Sequence, residues 1–322
     1  MTDTVIAADG RRLSVHVTGH PDGSPVFLLH GTPGSRLGPQ PRGMVLYRLG
    51  IRLISFDRPG YGHSDRQPGR RVADVATDVA VIADALGVSQ FAVAGRSGGG
   101  PHALACAALL PHRVTRAAVL VGLAPPSADG LDWLAGMAAS NIVHYTAAAA
   151  GEDALVSWLG PAAAAIRADP GELLVRLRGE LPDPDRQIVA DPGIRGLLRE
   201  SYAEALQASA YGWVDDTLAF LARWGFSLAS VSAPVLVWHG EKDVFSPVSH
   251  SVWLAAKMSG ASVIVQSGAA HFGAIGVLPD VLRWLVSESL APLPASRPDH
   301  QDEPRRLVRD PVRSAGAPGH GC

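Results

Sequence analysis

The chain has almost no lysine and almost no cysteine. Of its 28 basic residues only Lys242 and Lys257 are lysine, a bias that reads as composition rather than as a binding device. Its two cysteines are Cys106, inside a helical pattern, and Cys322, the last residue. That placement argues against a structural disulfide. Neither sign of charge prevails: 28 Lys and Arg face 30 Asp and Glu, a formal net charge of -2. The electrostatic footprint of a nucleic-acid partner is therefore missing. No apolar run approaches the roughly 18 residues that span a bilayer. The opening stretch MTDTVIAADGRRLSVHVTGH has no apolar segment of the signal-peptide kind. The sequence contains no H-E-x-x-H, no C-x-x-C and no nucleotide-binding glycine loop, so neither a metal nor a cofactor is expected. These absences together predict a soluble, cytoplasmic globular protein, without a nucleic-acid or membrane partner.

Hydrophobic residues make up 47% of the 322 positions and charged residues 18%, enough apolar material for a large core. Continuous apolar runs at 25–31, 52–57, 90–95, 116–122, 234–240 and 262–268 predict parallel strands buried on both faces. Residues 12–18 alternate as an antiparallel strand does. Helical patterns near 40–49, 73–86, 98–110, 248–258 and 276–289 separate these runs, so the fold class is α/β.

Residues 127–226 break the alternation. They are rich in Ala, Leu and Trp, interrupted by PDPD and DPG, and show no strand pattern. They predict a helical insertion between two halves of a core, 1–126 and 227–291. Residues 292–322 turn to Pro, Arg, Asp and Gly and predict a disordered tail.

Chemistry concentrates at QFAVAGRSGGGPHALACAALL, where Gly95-Arg96-Ser97-Gly98-Gly99 forms a G-x-S-x-G between an apolar strand and an Ala/Leu helix. That context predicts a tight turn holding Ser97 in a strained conformation at a helix N-terminus, with Gly95 and Gly99 leaving room for close neighbours. Acyl transfer at a serine needs two backbone N–H donors for the oxyanion. Gly98 follows the serine, and Thr32 stands in His30-Gly31-Thr32-Pro33-Gly34 after another strand. His30 reads as a structural pin for that loop. The serine also needs a base and the base an orienting acid, in chain order Ser, acid, His. HGEKD at 239–243 offers Asp243, with Glu241 as the alternative, and SGAAHFG at 267–273 offers His271. His63, His102, His144, His239 and His250 fit that order or position less well. Trp133, Trp158, Trp213 and Trp224, four of the seven tryptophans, lie in or beside the insertion. They are candidates for an apolar pocket, though packing of the insertion on the core would use them equally.

Taken together, HGTPGS at 30–35, DRPGYGHSD at 57–65, GRSGG at 95–99, HGEKD at 239–243 and AHFG at 270–273 resemble the α/β-hydrolase superfamily. The resemblance spans roughly residues 10–290. It implies an eight-stranded, mostly parallel sheet, with strand two antiparallel and a helical cap inserted after strand six. Haloalkane dehalogenases and epoxide hydrolases of that superfamily carry Asp at the elbow, whereas this chain has Ser97. The resemblance thus implies acyl chemistry, with ester hydrolysis the expected activity. HGTPG is similar to the HGGPG of proline iminopeptidases, except that Thr32 replaces a Gly. Cofactor-free haloperoxidases or perhydrolases and C–C bond hydrolases share the triad, and a non-catalytic binding protein could share the fold. The Asp57-Arg58-Pro59-Gly60 loop is expected to shape the pocket floor without a chemical role.

Overall fold

The structure, a computed structural model, describes residues 2–287 and 305–308. Its frame is one sheet in the order β1-β2-β4-β3-β5-β6-β7-β8-β9. The strands are β1 (Thr2–Ile6), β2 (Arg12–Gly19), β3 (Ser24–Leu29), β4 (Ile51–Phe56), β5 (Phe91–Arg96), β6 (Val114–Leu120), β7 (Val235–Gly240), β8 (Ala261–Gln266) and β9 (Arg305–Val308). From β3 to β8 every pairing is parallel, and β2 runs antiparallel to both neighbours. The alternating residues 12–18 are thus the antiparallel strand expected of them.

The parallel runs are continuously apolar because both faces are covered. Phe27, Val93, Val119 and Val237 face one core, while their neighbours Val26, Ala92, Ala118 and Leu236 face the other. The first core is closed by α2 (Val75–Ala85), α3 (Gly99–Leu109) and α10 (Val248–Ala256). The second is closed by α1 (Gly43–Arg48) and α11 (Gly273–Val286).

Between β6 and β7 come six helices and no strand: α4 (Ala139–Ala149), α5 (Glu152–Ala168), α6 (Glu172–Leu177), α7 (Asp183–Ala190), α8 (Pro192–Leu206) and α9 (Tyr211–Leu221). This is the helical cap after strand six. PDPD and DPG, read above as breaks, are helix starts. Pro182 and Asp191 are the residues before α7 and α8, and the Asp191 carboxylate accepts from Ile194 N at 2.9 Å. The cap has its own core, with Leu155, Leu159, Leu198 and Val214 buried together against Tyr61 and Phe272 of the main body.

Two expectations are corrected. β1 went unread, because five residues pairing through one edge carry too short a pattern to stand out. The tail 292–322 is not wholly irregular. Arg305–Val308 pairs antiparallel with β8, from Val263↔Val308 to Gln266↔Arg305, completing the backbone hydrogen bonds of what would be an open edge. The rest of the tail, Cys322 included, lies outside the described residues. Among the described residues no helix is long and apolar enough to cross a membrane.

Candidate active site

Four loops at the C-terminal ends of the parallel strands β3, β5, β7 and β8 meet under the cap, as open α/β sheets place their crevices. Ser97 follows β5 with φ +54°, the left-handed region that a serine rarely adopts. Its N–H bonds Leu120 O at 2.8 Å and its carbonyl accepts from Gly100 N at 2.8 Å, so backbone on both sides holds the strain. Close approach explains the flanking glycines. A Cβ on Gly95 would lie 2.1 Å from Gly99 O, and one on Gly99 would lie 2.2 Å from Leu29 O. Gly98 is constrained too, since its Cβ would come within 2.3 Å of Thr32 Oγ1. The loop after β3 is therefore pressed directly onto the turn that carries Ser97. Among the described residues no acceptor is paired with the N–H of Thr32 or of Gly98.

Asp243 is fully engaged. Its Oδ1 accepts from Phe245 N at 2.8 Å and Ser246 N at 3.1 Å, and its Oδ2 lies 2.8 Å from His271 Nδ1 and 3.3 Å from His239 Nε2. Burial alone would push its carboxyl up, but the charge of His271 and the bonds from both histidines outweigh that and hold it well below the usual carboxylate range. Burial likewise pushes the His271 imidazole down, yet the Asp243 carboxylate outweighs it and raises His271 above the ordinary histidine value. Glu241, the alternative acid, is exposed and bonded to Ser267 Oγ at 2.7 Å. The competing histidines have other partners. His102 touches Asp216, His144 touches Thr217, His239 touches Ser251, His250 touches Ala124 and Trp133, and exposed His63 lies 3.8 Å from Glu204.

Ser97, His271, Thr32 and Gly98 line one cavity enclosing about 150 Å³. No hydrogen bond joins Ser97 to His271 among the described residues; in unliganded sites such bonds are often long until substrate arrives. The cavity walls are mainly apolar, with Leu123, Leu173, Leu198, Phe220, Trp213 and Phe272 among them. Of the four candidate tryptophans only Trp213 lines the cavity, and the other three are corrected to packing roles. Trp133 donates Nε1–H to Ala124 O at 2.7 Å, Trp158 meets His144 edge-on, and Trp224 stacks on Phe226. Trp133 and Trp224 are buried in the core of the main body and Trp158 packs within the cap, a distribution that composition does not reveal.

Sequence reasoning missed two cap carboxylates. Asp185 of α7 accepts from the N–H groups of His271 at 3.1 Å and Phe272 at 2.8 Å. Its burial pushes its carboxyl up to about 6. Asp216 of α9, fully buried, gathers five side chains: Thr32 Oγ1 at 2.7 Å, Arg58 at 2.6 Å, Tyr61 OH at 2.9 Å, Arg70 at 2.5 Å and His102 at 3.3 Å. Burial works against its charge, but Arg58 and then Arg70 outweigh that and hold its carboxyl well below the usual range. Arg58 also donates to the carbonyls of His30 and Gly31 and to Thr32 Oγ1. The Asp57–Gly60 loop thus braces the loop after β3, a larger part than shaping a floor. His30 contributes as a pin, accepting from Arg58 N at 3.1 Å. The only available signal for the two cap acids was their polarity inside an apolar helical region, and polarity does not name a partner 184 residues away in the chain.

An elbow serine between strand and helix, a histidine–carboxylate pair after later strands and a helical cap define an α/β-type hydrolase architecture. Residues 24–153 match the family profile described as alpha/beta hydrolase fold. The chain is 28% identical over 273 residues to a 2-hydroxymuconate semialdehyde hydrolase of Pseudomonas putida, covering 83% of this chain and 86% of that protein. It shares its fold with a hydrolase from Pseudomonas aeruginosa (TM-score 0.64, 21% identity, 88% of this chain and 96% of that one). It also shares it with a thermophilic esterase from Thermogutta terrifontis (TM-score 0.63, 22% identity, 88% and 98%). The protein has the α/β-hydrolase fold.

Proposed function

We propose that the protein hydrolyses a small carboxylic ester through an acyl-enzyme on Ser97. The observation that carries this reading is the strained Ser97 and the Asp243–His271 pair opening on one mainly apolar cavity. In the first step Ser97 Oγ attacks the ester carbonyl while His271 Nε2 takes its proton. Asp243 fixes the ring through Nδ1–H and stabilises the imidazolium. The N–H groups of Thr32 and Gly98 receive the oxyanion. His271 then gives the proton to the leaving alkoxide. In the second step His271 takes a proton from the water that attacks the acyl carbonyl, the acyl–Oγ bond breaks as His271 returns that proton to Ser97 Oγ, and the acid leaves.

A cavity of about 150 Å³ suits a short acyl group and a small-molecule substrate. The test is hydrolysis of p-nitrophenyl esters from acetate to octanoate by the wild type and Ser97→Ala. Turnover that falls by about 10³-fold or more in the variant, best at short chain length, supports the reading. Absence of ester turnover, or turnover that survives Ser97→Ala, overturns it and directs attention to prolyl amides, peroxide chemistry and plain ligand binding.

A further inference from the structure

Arg96 is the variable residue of the elbow, the last residue of β5 and the one before Ser97. It lines the same cavity as Ser97 and His271. Its guanidinium makes no hydrogen bond or ion pair with any described residue, and its Nη1 is buried without a partner. Other buried arginines of the molecule are matched. Arg36 holds Asp57 and Glu204, and Arg58 and Arg70 share Asp216. The buried carboxylates around the site have other partners, Asp57 and Glu204 in Arg36, Asp185 in the His271 and Phe272 N–H groups, and Asp243 in His271. The Tyr202 phenol lies within reach of the Arg96 charge, but burial pushes its pKa up to about 12, so it stays neutral. Nothing on the described protein balances this cation.

A guanidinium with a buried, unmatched Nη1–H is costly to leave without an acceptor. An apolar side chain of the same length would line an ester pocket with less strain. A guanidinium at this place is suited to a planar anion, which it binds through two parallel hydrogen bonds.

We propose that Arg96 is the anion subsite of this cavity and that the natural ester carries a carboxylate on its acyl part, as a half-ester of a short dicarboxylic acid does. The acyl part is chosen because it stays bonded to Ser97, beside Arg96, through both chemical steps. Tyr202 OH, on the same wall and without a partner among the described residues, supplies a further donor to the carboxylate. The proposal rests on the ester reading for its chemistry, though not for its binding site.

The experiment has a kinetic arm and a binding arm. The kinetic arm compares kcat/KM for mono-p-nitrophenyl glutarate and the uncharged p-nitrophenyl pentanoate, in the wild type, Arg96→Met and Arg96→Lys. The wild type is expected to favour the charged ester by about tenfold or more. Arg96→Met should bring the ratio close to one, and Arg96→Lys should keep part of it. A wild-type ratio at or below one, or a ratio unmoved in Arg96→Met, overturns the proposal. The binding arm measures the monoamide of glutaric acid and the uncharged pentanamide by calorimetry on the wild type, which needs neither turnover nor a folded variant. Tighter binding of the glutaric monoamide, whose carboxylate lies at the far end from its amide, supports the subsite, and equal binding sinks it. If neither ester is turned over yet the glutaric monoamide binds more tightly, the ester reading fails and the anion subsite stands.

Discussion

His271 can act as a base only with Nε2 unprotonated, and the charge on Asp243 sets the pH at which that holds. Because Asp243 raises the His271 pKa above its ordinary value despite the burial of the ring, activity is lost on acidification at a pH above the usual histidine midpoint. It is regained as pH rises through that pKa. Asp243→Asn removes the cause. The expected result is an acid limb of kcat/KM displaced downward in pH, with a loss of kcat on the order of 10⁴-fold because Nδ1 no longer has an anion to hold the ring. A pH–rate profile of the two proteins checks both parts, and an unmoved limb would remove Asp243 from its assigned role. Ser97, Asp243 and His271 could be named as candidates from the sequence, because the chain order of elbow, acid and base follows the strand order of the sheet. Arg96 was visible as a letter in the motif, but its isolation was not. Only the folded arrangement of side chains, which leaves its Nη1 buried without an acceptor, shows that it has no partner.

At the scale of elements, the loop after β3 is held from two sides. Gly98 at the start of α3 makes room for Thr32, while α9 delivers Asp216 to Thr32, Arg58 and Arg70 from above. Two cations depend on this one buried carboxylate. Asp216→Ala would leave Arg58 and Arg70 uncompensated, and a loss of about 3–5 kcal/mol of folding stability is expected. Urea unfolding measures it, and a loss below about 1 kcal/mol would mean that other groups or water satisfy those guanidinium groups. The helices of the main body were legible because apolar periodicity marked them. The cap helices were legible as helices, but which of their polar residues turn inward depends on how they lie across the sheet. For the same reason three of the four tryptophans became packing residues.

For the molecule as a whole, cap and core share their polar contacts as well as an apolar seam. Asp185 caps the start of the His271–Phe272 segment, Asp216 ties α9 to the loop after β3, and Glu204 joins α8 to Arg36. Tyr61 and Phe272 extend into the cap core. Coupling on this scale predicts one cooperative thermal transition. Circular dichroism, reporting all helices and strands, and tryptophan fluorescence, reporting the cap through Trp158 and Trp213 and the main body through Trp133, Trp224, Trp238 and Trp284, should give the same midpoint. Two separated midpoints would show that the cap opens independently and that these contacts do not couple it.

The sequence by itself determined what depends on local pattern. Apolar runs buried on both faces specify a parallel sheet, and a glycine-flanked serine between strand and helix specifies the elbow. The order of the later acid and histidine follows from strands that must come after the cap. Tertiary structure alone decided what depends on distance in space between residues far apart in the chain. Asp216 reaching Thr32, Asp185 capping the His271 loop, β9 completing the edge at β8 and Arg96 left without a counter-ion are of this kind. The physical reason is that a buried charge is defined by which opposite charge lies within a few ångströms of it, and no periodicity in the chain encodes that distance.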